Sequence, residues 1–383
     1  MQASPNTRHI FGKLGDNPHL ARIFSRFMPE LTINASGNGK SSLPWPCKHT
    51  KRPDVFPVFL PFSGCRTRCV FCSQPAQTGT PSPAGSSGVR AILASAQEAL
   101  AAANKKQPVE LAFYGGTFTA QDRESLRFCL DFAQKMLRQG KILSFRCSTR
   151  PDSLDDAILA ELIASGCTMI ELGAQSFADE ALLESRRGYT GATAEEAAFM
   201  VKKSGLQLGI QLMPGMPGQN DASFSEDVAR AIELGADCLR FYPCQVLEGT
   251  ALAALWRRGD YRPWPLRVAL RRLAQGLLLA NMARVPVIRM GLAPQAGFNM
   301  LAGPWHPALG SMVQARALML AALALARSQG RRTLAGALLH VPGNARGFAT
   351  GHRKSLLALW QRLGLNLDNL KFDSSDEICL EYV

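Results

Sequence analysis

The sequence predicts an α/β fold, a partial (β/α)6 TIM-like barrel with a small mixed α/β extension after it. Two features of the pattern support this prediction: six short apolar segments suited to strands recur with helical segments between them, and polar, Gly-rich turns follow the strands. β/α barrels build their sites from the loops at that end of the strands. Length and composition agree, because 383 residues with 46% hydrophobic content can bury a large core.

The individual elements follow from apolar runs bounded by Gly and Pro and from helical periodicity. The predicted strands are 55–61, 109–114, 142–147, 168–172, 206–212 and 237–242. The predicted helices are 89–104, 121–138, 154–164, segments from Asp179 and Thr193, and 222–234. Residues 286–290 suit either a further strand or a covering segment. Beyond them we predict helices at 305–328 and 354–363 and a closing strand at 378–382.

Three regions divide the chain. Residues 1–50 are predicted to be a partly irregular N-terminal leader, because Pro, Asn, Gly and Ser cluster there, especially over 33–46. Residues 51–295 contain the βα units and form the predicted core barrel. Residues 296–383 form the predicted helical and mixed C-terminal extension.

Composition argues against a secreted or membrane protein. The ten cysteines are irregularly spaced in a chain too long for a small disulfide-linked module. Residues 1–12 are polar and basic, without an apolar signal core. The richest apolar stretch, 317–326, is too short to span a bilayer and is bracketed by Arg316 and Arg327. We therefore expect no membrane partner and a cytoplasmic location.

The cysteine run is the most specific chemical motif. Cys65, Cys69 and Cys72 follow a predicted strand at C-x3-C-x2-C spacing, and no fourth cysteine completes the loop. Four thiolates usually close a four-iron cluster, so three would leave one iron open to a chelating small molecule. The alternatives are buried cysteines or a zinc site, but zinc prefers four ligands in paired motifs and no second pair follows.

This pattern resembles the radical S-adenosylmethionine (SAM) superfamily, whose signature is C-x3-C-x-aromatic-C. The resemblance implies a [4Fe-4S] cluster held by the three cysteines, with SAM bound to the open iron and Phe71 beside the adenine. It also implies reductive cleavage of SAM to a 5′-deoxyadenosyl radical. Such an enzyme needs a reducing electron donor of the flavodoxin or ferredoxin type.

Further motifs at the predicted strand ends also match the family, and the resemblance implies that they contact the cofactor. Gly115-Gly116-Thr117 matches the family's glycine motif, which lets the backbone approach the methionyl amino group. Alone, a Gly-Gly pair is more often a turn. Glycine suits a close approach because it has no Cβ.

The segments 148–152, 171–176 and 211–218 resemble the Elongator catalytic subunit branch. The resemblance implies that Arg150 offers bidentate donors to a carboxylate or phosphate and that Ser148 and Gln175 bind ribose or substrate. It places Gln211 and Met213 in the cofactor site, with Met213 against the adenine. Capping bonds and a rigid Pro-Gly corner are the structural alternatives.

Arg240, Tyr242 and Arg289 lie near predicted strand ends and suit cofactor or substrate contacts; structural ion pairs are the alternative.

A basic segment suggests a nucleic-acid partner. Residues 251–290 contain eight arginines and one acid, and Trp256, Tyr261 and Trp264 lie among them. Arginine beside aromatic rings suits phosphate contact and base stacking, so tRNA is a candidate partner. The alternative is a solvated helix face, with a leucine stripe at 266, 270, 273 and 277 that leaves Arg267, Arg271 and Arg272 outside it.

The function that these observations favour is a radical SAM enzyme that modifies an organic substrate, with a tRNA base as the candidate. The alternatives are a coproporphyrinogen oxidase-like enzyme and a non-catalytic, cluster-bearing protein that binds haem or RNA. The resemblance covers about 55–295. The remaining residues carry no evident acetyl-coenzyme A loop, so the expectation is a short form without an acetyltransferase domain.

Overall fold

The computed structural model describes residues 40–45, 53–103, 107–292 and 299–382. The first part of the predicted leader, residues 1–39, lies outside these ranges. The strands are β1 (Lys40–Pro44), β2 (Val55–Phe59), β3 (Val109–Tyr114), β4 (Ile142–Thr149), β5 (Cys167–Gln175), β6 (Gln207–Leu212), β7 (Cys238–Phe241), β8 (Val246–Leu247), β9 (Val287–Met290), β10 (Met300–Ala302), β11 (Ala337–Pro342), β12 (Leu370–Asp373) and β13 (Glu377–Tyr382).

The helices are α1 (Gln74–Thr78), α2 (Gly85–Ala102), α3 (Arg123–Arg138), α4 (Asp156–Ala164), α5 (Asp179–Glu184), α6 (Gly191–Lys203), α7 (Ser223–Glu233), α8 (Ala251–Arg258), α9 (Leu266–Met282), α10 (Leu309–Ser328), α11 (Arg346–Ala349) and α12 (Leu357–Arg362). Short 3-10 turns occur at Phe118–Ala120, Pro151–Ser153, Gly343–Ala345, His352–Lys354 and Leu367–Asn369. Asp122 and Asp155 cap α3 and α4, each accepting a backbone amide at 2.8 Å.

The main sheet has seven parallel strands in the order β2-β3-β4-β5-β6-β7-β9. Six are the predicted strands, so the α/β partial-barrel prediction is confirmed. The seventh strand is β9. The segment 286–290, which suits either a strand or a covering segment by sequence, therefore contains a strand that pairs with β7. Pro57 is tolerated in β2 because β2 is an edge strand, where a missing amide breaks no ladder.

The sheet curls into a half-barrel. In a flat sheet β3 and β7 would lie about 19 Å apart, at about 4.8 Å per strand. Yet the guanidinium of Arg240 on β7 hydrogen-bonds the hydroxyl of Tyr114 on β3, and both contact Glu171 on β5. These contacts are possible only across a concave surface.

The two faces of the sheet differ in polarity. Alternate residues on the outer face are apolar and pack under the helices: Leu111, Phe113, Phe145, Ile170, Leu172, Leu208, Ile210, Leu239 and Phe241. Several residues that alternate with them are charged and face inward, including Glu110, Arg146 and Glu171. The hydrophobic core therefore lies outside the half-barrel, and its interior is left for polar contacts.

A second sheet joins the two ends of the described chain, in the order β1-β13-β11-β12. β1 lies in the predicted leader, so that part is a strand paired antiparallel with β13. The sequence predicted β13 but not β11 or β12. The predicted helix at 305–328 begins later, at Leu309, where the His306 ring accepts the Ala308 amide at 3.0 Å.

Among the described residues, one helix, α10, is long and apolar enough to cross a membrane by length and composition. α10 contains the apolar stretch 317–326 and continues past Arg316 and Arg327, so the helix is longer than the stretch that the sequence analysis treats as too short to span a bilayer. α10 packs against α9, and its buried residues belong to the main core. That burial accounts for its apolar composition.

Candidate active site

A cavity of about 500 Å³ opens at the carboxyl ends of the main-sheet strands. This volume lies in the range of small-molecule sites. Eleven of the twelve predicted site residues line it: Cys65, Cys69, Phe71, Cys72, Gly115, Gly116, Ser148, Arg150, Gln175, Gln211 and Met213. The twelfth, Thr117, is fully buried behind Cys65. Arg240, Tyr242 and Arg289 also line the cavity, as the sequence suggested.

The cysteine loop packs on the turn that follows β3. Gly64 has a φ of +72°, and a Cβ there would lie 2.3 Å from the carbonyl oxygen of Thr117. Gly116 has a φ of +64°, and its Cβ would lie 2.1 Å from the carbonyl oxygen of Ser63. The Thr117 amide donates to that same oxygen at 2.7 Å. Glycine is required at both positions, so the Gly-Gly-Thr motif holds the cysteine loop in place.

A small apolar cluster fixes the other end of this loop. Its members are Val70, Phe71, Ala181, Met216, Cys244, Val246, Leu252, Ala253 and Tyr261. The Val70 amide donates to the Ser185 carbonyl at 3.2 Å, and its own carbonyl accepts the Leu252 amide at 2.7 Å. The Phe71 ring is buried in this cluster and borders the cavity. Its predicted contact with adenine stays a prediction.

Two polar side chains contact the cysteine thiols. Arg187 Nη1 donates to Cys69 Sγ at 2.9 Å, and Thr117 Oγ1 lies 3.4 Å from Cys65 Sγ. Burial raises the pKa of the Cys65 thiol, partly opposed by the Thr117 contact. Burial also raises the pKa of Cys72, to about 12. Iron binding must therefore displace protons from these thiols, since the thiolate is the ligand.

Arg187, which the sequence analysis missed, is held rigidly. It lies between α5 and α6 and is only 5% exposed. Its Nη2 donates to the Gly173 carbonyl at 2.5 Å, and its Nε donates to the Tyr189 hydroxyl at 3.0 Å. Arg187 therefore holds a fixed positive charge beside the Cys69 sulfur.

Gln74, also missed, bridges the cysteine loop and the glycine motif. It begins α1, and its Oε1 accepts the Gly116 amide at 2.7 Å and the Phe62 amide at 2.5 Å. Buried donors that share one acceptor fix the relative position of the two backbone segments. Gln74 therefore supports the loop geometry together with the Gly64 contact.

Glu171 is the central acceptor of the polar hydrogen-bond network at the base of the site. It is 1% exposed and accepts the Tyr114 hydroxyl at 3.1 Å and the Gln211 amide at 3.1 Å. The Arg240 Nε lies 2.6 Å from its Oε2. Gln211 also donates to the Ser148 hydroxyl at 3.0 Å. The predicted residues Ser148 and Gln211 thus form one network with a carboxylate to which the sequence analysis gave no role.

The Arg150 guanidinium is largely engaged within the chain. Its Nε and Nη2 donate to the two carboxylate oxygens of Asp152 at 2.9 and 2.7 Å, and Nη2 also contacts the Arg187 carbonyl. The fork that the sequence assigned to a ligand carboxylate or phosphate therefore binds Asp152. Only Nη1 is left for a ligand.

Gln175 has the features of a ligand contact. Its φ is +67°, a left-handed conformation that costs a non-glycine residue about 1–3 kcal/mol and persists mainly at functional sites. Within the described residues, its buried Oε1 has no hydrogen-bond partner. A buried acceptor without a partner is costly, so a donor on a bound molecule would stabilise this arrangement.

Asp227 on α7 ties together two segments beside the cavity. It accepts the Ser176 hydroxyl at 2.8 Å, the Phe177 amide at 2.7 Å and the Gln219 amide at 3.1 Å. Gln219 in turn accepts the Gly215 amide at 2.7 Å. Burial raises the pKa of Asp227 to about 7, opposed by the donors from Phe177 and Ser176.

This raised pKa predicts how stability depends on pH. Between about pH 4 and pH 7 the folded protein binds more protons at Asp227 than the unfolded chain does, so stability should fall as pH rises. The slope should approach, at most, about 1.4 kcal/mol per pH unit. Asp227→Asn should remove this contribution, as measured by urea unfolding across that range. Glu195→Gln is the control, because Arg230 lowers the pKa of Glu195, so its contribution has the opposite sign, lies below pH 4.5 and leaves the slope between pH 5 and pH 7 unchanged. An unchanged slope in Asp227→Asn would contradict the assignment.

The arginines of the basic segment are less available for nucleic-acid contact than the composition suggests. Arg257 pairs with Glu248 at 2.7 Å and Arg258 with Asp260 at 2.8 Å. Arg272, predicted to lie on the solvated face, is buried and pairs with Asp221 at 2.8 Å.

All three aromatic residues in the basic segment pack against core clusters, with Tyr261 buried and Trp256 and Trp264 half-buried. The buried Tyr261 donates to the Gly215 carbonyl at 2.7 Å, and the Trp264 ring packs on the same glycine. The interleaved arginine and aromatic pattern is therefore largely structural.

The donor set suits an iron–sulfur cluster bound at three irons. Three thiols from one loop border a cavity, and a buried cation and a hydroxyl contact two of them. Among the described residues, no three His, Cys, Asp or Glu side chains form a site for a single metal ion. A cluster differs in that each thiolate binds its own iron. The cavity volume leaves room for a small molecule beside the cluster. The Oε1 of Gln175, which has no partner among the described residues, is available to accept a hydrogen bond from it.

Two family models match the chain in succession. The radical SAM superfamily model matches residues 59–231, and the Radical_SAM C-terminal domain model matches residues 236–319. The first includes the cysteine loop and strands β3 to β6. The second includes β7, β9, α9 and the first half of α10.

Individual relatives match parts of the chain. The tRNA uridine(34) acetyltransferase of Methanocaldococcus jannaschii is 32% identical over 176 residues, 41% of this chain and 32% of that protein. Elongator complex protein 3 of Mus musculus is 31% identical over 130 residues, 32% of this chain and 23% of that protein. The match thus spans a third or less of either relative.

The archaeal Elp3 structure from Methanocaldococcus infernus superposes with a TM-score of 0.52 at 24% identity, over 69% of this chain and 62% of that one. This likeness shows a shared fold.

Proposed function

Because this chain belongs to the radical SAM superfamily, we propose that it uses reductive SAM cleavage to modify a base in tRNA. It is an enzyme whose cofactors are a [4Fe-4S] cluster and SAM. The observation that carries the site assignment is the set of three cysteines bordering a cavity at the strand ends. The tRNA substrate is inferred from relatives that are named as tRNA uridine(34) acetyltransferases.

Cys65, Cys69 and Cys72 would hold the cluster, and the Arg187 guanidinium would lie beside the Cys69 sulfur. When bound and reduced, the cluster supplies the electron that cleaves the SAM sulfonium to methionine and a 5′-deoxyadenosyl radical. The chain itself positions the reactants and excludes water and oxygen. The buried cysteine loop and the apolar cluster around Phe71 suit that role.

The SAM-binding residues would be those on the cavity wall. Gln175 would satisfy its lone buried acceptor with a hydroxyl or amino group of the ligand. Met213 and Phe71 would supply apolar contacts, and Gly115 would present backbone without a side chain. The charged floor around Glu171 and Arg240 would bind polar groups of the substrate.

The finer parts of the proposal concern partners. A flavodoxin or ferredoxin type donor would reduce the cluster, in a reducing cytoplasm that also protects it. Acetyl transfer is not included in the proposal, since the matched relatives extend well beyond the aligned region.

A product assay tests the proposal. Anaerobically reconstituted, reduced protein should convert SAM to 5′-deoxyadenosine, and adding unmodified tRNA should speed this conversion because hydrogen abstraction consumes the radical. Coproporphyrinogen is the comparison substrate. If only coproporphyrinogen accelerates the reaction, the tRNA assignment is wrong. Reduced, cluster-loaded protein that forms no 5′-deoxyadenosine with either substrate would contradict the enzymatic proposal itself.

A further inference from the structure

Three arginines outside the cavity form a like-charged group, here called the arginine trio. Arg267 and Arg271 lie one turn apart on α9 and are exposed, and the half-buried Arg316 lies on α10, which packs against α9. Burial and the charges of Arg271 and Arg267 lower the pKa of Arg316. The three guanidinium groups are thus close enough to repel one another.

Three other arginines of the same region differ from the trio. Arg257, Arg258 and Arg272 each bind a carboxylate of this chain at 2.7–2.8 Å. Within the described part of the chain, no carboxylate lies at ion-pair distance from any member of the trio.

This arrangement costs stability in the absence of a ligand. Clustered like charges repel, and Arg316 loses part of its hydration where it lies half-buried. Arg267 also lies in the first turn of α9, where the helix dipole disfavours a cation. A bound anion would offset all three effects.

The trio lies toward the carboxyl edge of the main sheet, where the cavity opens. Trp264, just before α9, packs on Gly215 in the turn after β6. Leu309, the first residue of α10, contacts the position of Gly291 directly after β9. Both helices therefore start at this edge. At about 1.5 Å per residue, each trio member lies within about 10 Å of a helix start.

The wall of the cavity nearest to these helices is β9. Residues Ile288, Arg289 and Leu292 of that wall line the cavity. A polymer whose base enters the cavity past β9 would carry its backbone over the starts of α9 and α10. The trio is placed to meet that backbone.

We propose that the arginine trio binds the phosphodiester backbone of the RNA whose base is modified. This inference rests on the proposed function. Guanidinium groups bind phosphate oxygens in bidentate fashion, and phosphate contacts set the position of a nucleic acid without reading its sequence. The trio therefore supplies affinity and register, and the cavity supplies base selection.

The test compares tRNA binding by two triple variants of the cluster-loaded protein over a range of salt concentrations. The first is Arg267→Gln/Arg271→Gln/Arg316→Gln. The matched control is Arg123→Gln/Arg257→Gln/Arg258→Gln, which loses the same charge from arginines that are paired in the structure. The trio variant should bind at least about 30-fold more weakly, with a salt slope lower by about 2, as three lost phosphate contacts predict. The control should keep most of the wild-type affinity and slope.

Stability separates this role from a structural one. Arg316→Gln should leave the thermal midpoint unchanged or raise it, because it removes a repulsive, half-buried charge. A midpoint several degrees lower, or equal loss of tRNA binding in both triple variants, would overturn the inference. So would wild-type protein that binds anionic phosphatidylserine vesicles and not tRNA.

The two proposals fail in different ways. Wild-type protein that cleaves SAM but does not retain tRNA overturns the trio inference and leaves the radical SAM activity intact. Trio-dependent tRNA binding without SAM cleavage supports the trio inference and contradicts the enzymatic proposal.

Discussion

Replacing Cys65, Cys69 or Cys72 by alanine should abolish both cluster binding and SAM cleavage. Each thiolate is expected to bind a separate iron, and no other cysteine lines the cavity among the described residues. Loss of groups that merely support metal ligands typically costs 10–100-fold in affinity or activity, so loss of a ligand should reduce 5′-deoxyadenosine formation by more than about 100-fold. Iron and sulfide content and product formation under anaerobic conditions measure the effect.

Cys379→Ala is the matched control for these variants. Cys379 is a free, buried cysteine on β13 in the second sheet, away from the cavity. It should keep the iron content and activity of the parent protein. A single cavity-cysteine variant that kept a full cluster would show that the thiols are not its ligands.

Gly116→Ala should displace the cysteine loop and prevent cluster assembly. The new Cβ would lie 2.1 Å from the Ser63 carbonyl oxygen and 2.9 Å from that of Leu60. Both contacts are with backbone, which cannot rotate away. The left-handed φ costs about 1–2 kcal/mol and overpacking about 1–3 kcal/mol more. We expect a loss of about 3 kcal/mol or more in stability and a large fall in bound iron.

Gly140→Ala separates the conformational cost of the positive φ from the steric contact with the cysteine loop. Gly140 has the same φ of +64° as Gly116, but a Cβ there would meet nothing within 4 Å. It should cost only the conformational energy and keep its full iron content. If the two variants load iron equally well, the contact between the Gly116 turn and the cysteine loop is not what positions the ligands.

Much of the main sheet could be predicted because its signals are local. Each strand from β2 to β7 is a short apolar run followed by Gly or a polar turn, and the cysteine spacing has a direct chemical meaning. β1, β11 and β12 were missed because their pairing is not local. β1 is a polar segment that becomes a strand only by pairing with β13 near the other end of the chain. Strand propensity depends on such context.

Site residues that belong to a motif at a strand end could be predicted from the sequence. Site residues whose role depends on side chains distant in sequence could not. Glu171 gains its role from Tyr114, Gln211 and Arg240, which meet only because the sheet curls. The alternation of polar residues along β3 to β5 was an available signal for this polar interior. Arg187 had a weaker signal, an arginine in a Gly-containing loop after a strand end.

The basic segment shows the opposite error. Composition suggested that the arginines and aromatic residues of 251–290 act together, but Arg272 and Tyr261 are buried. Charge counts do not reveal which arginines have carboxylate partners. Arg257, Arg258 and Arg272 pair with carboxylates, whereas the arginine trio, which includes Arg316 from outside the segment, has no such partner among the described residues.

The most direct test is electron paramagnetic resonance of the reduced, reconstituted protein before and after SAM is added. Three protein ligands leave one iron free to bind SAM, so the account predicts about one four-iron cluster per chain whose spectrum changes when SAM binds. A cluster whose spectrum SAM leaves untouched, or one that persists when all three cysteines are replaced, would contradict it.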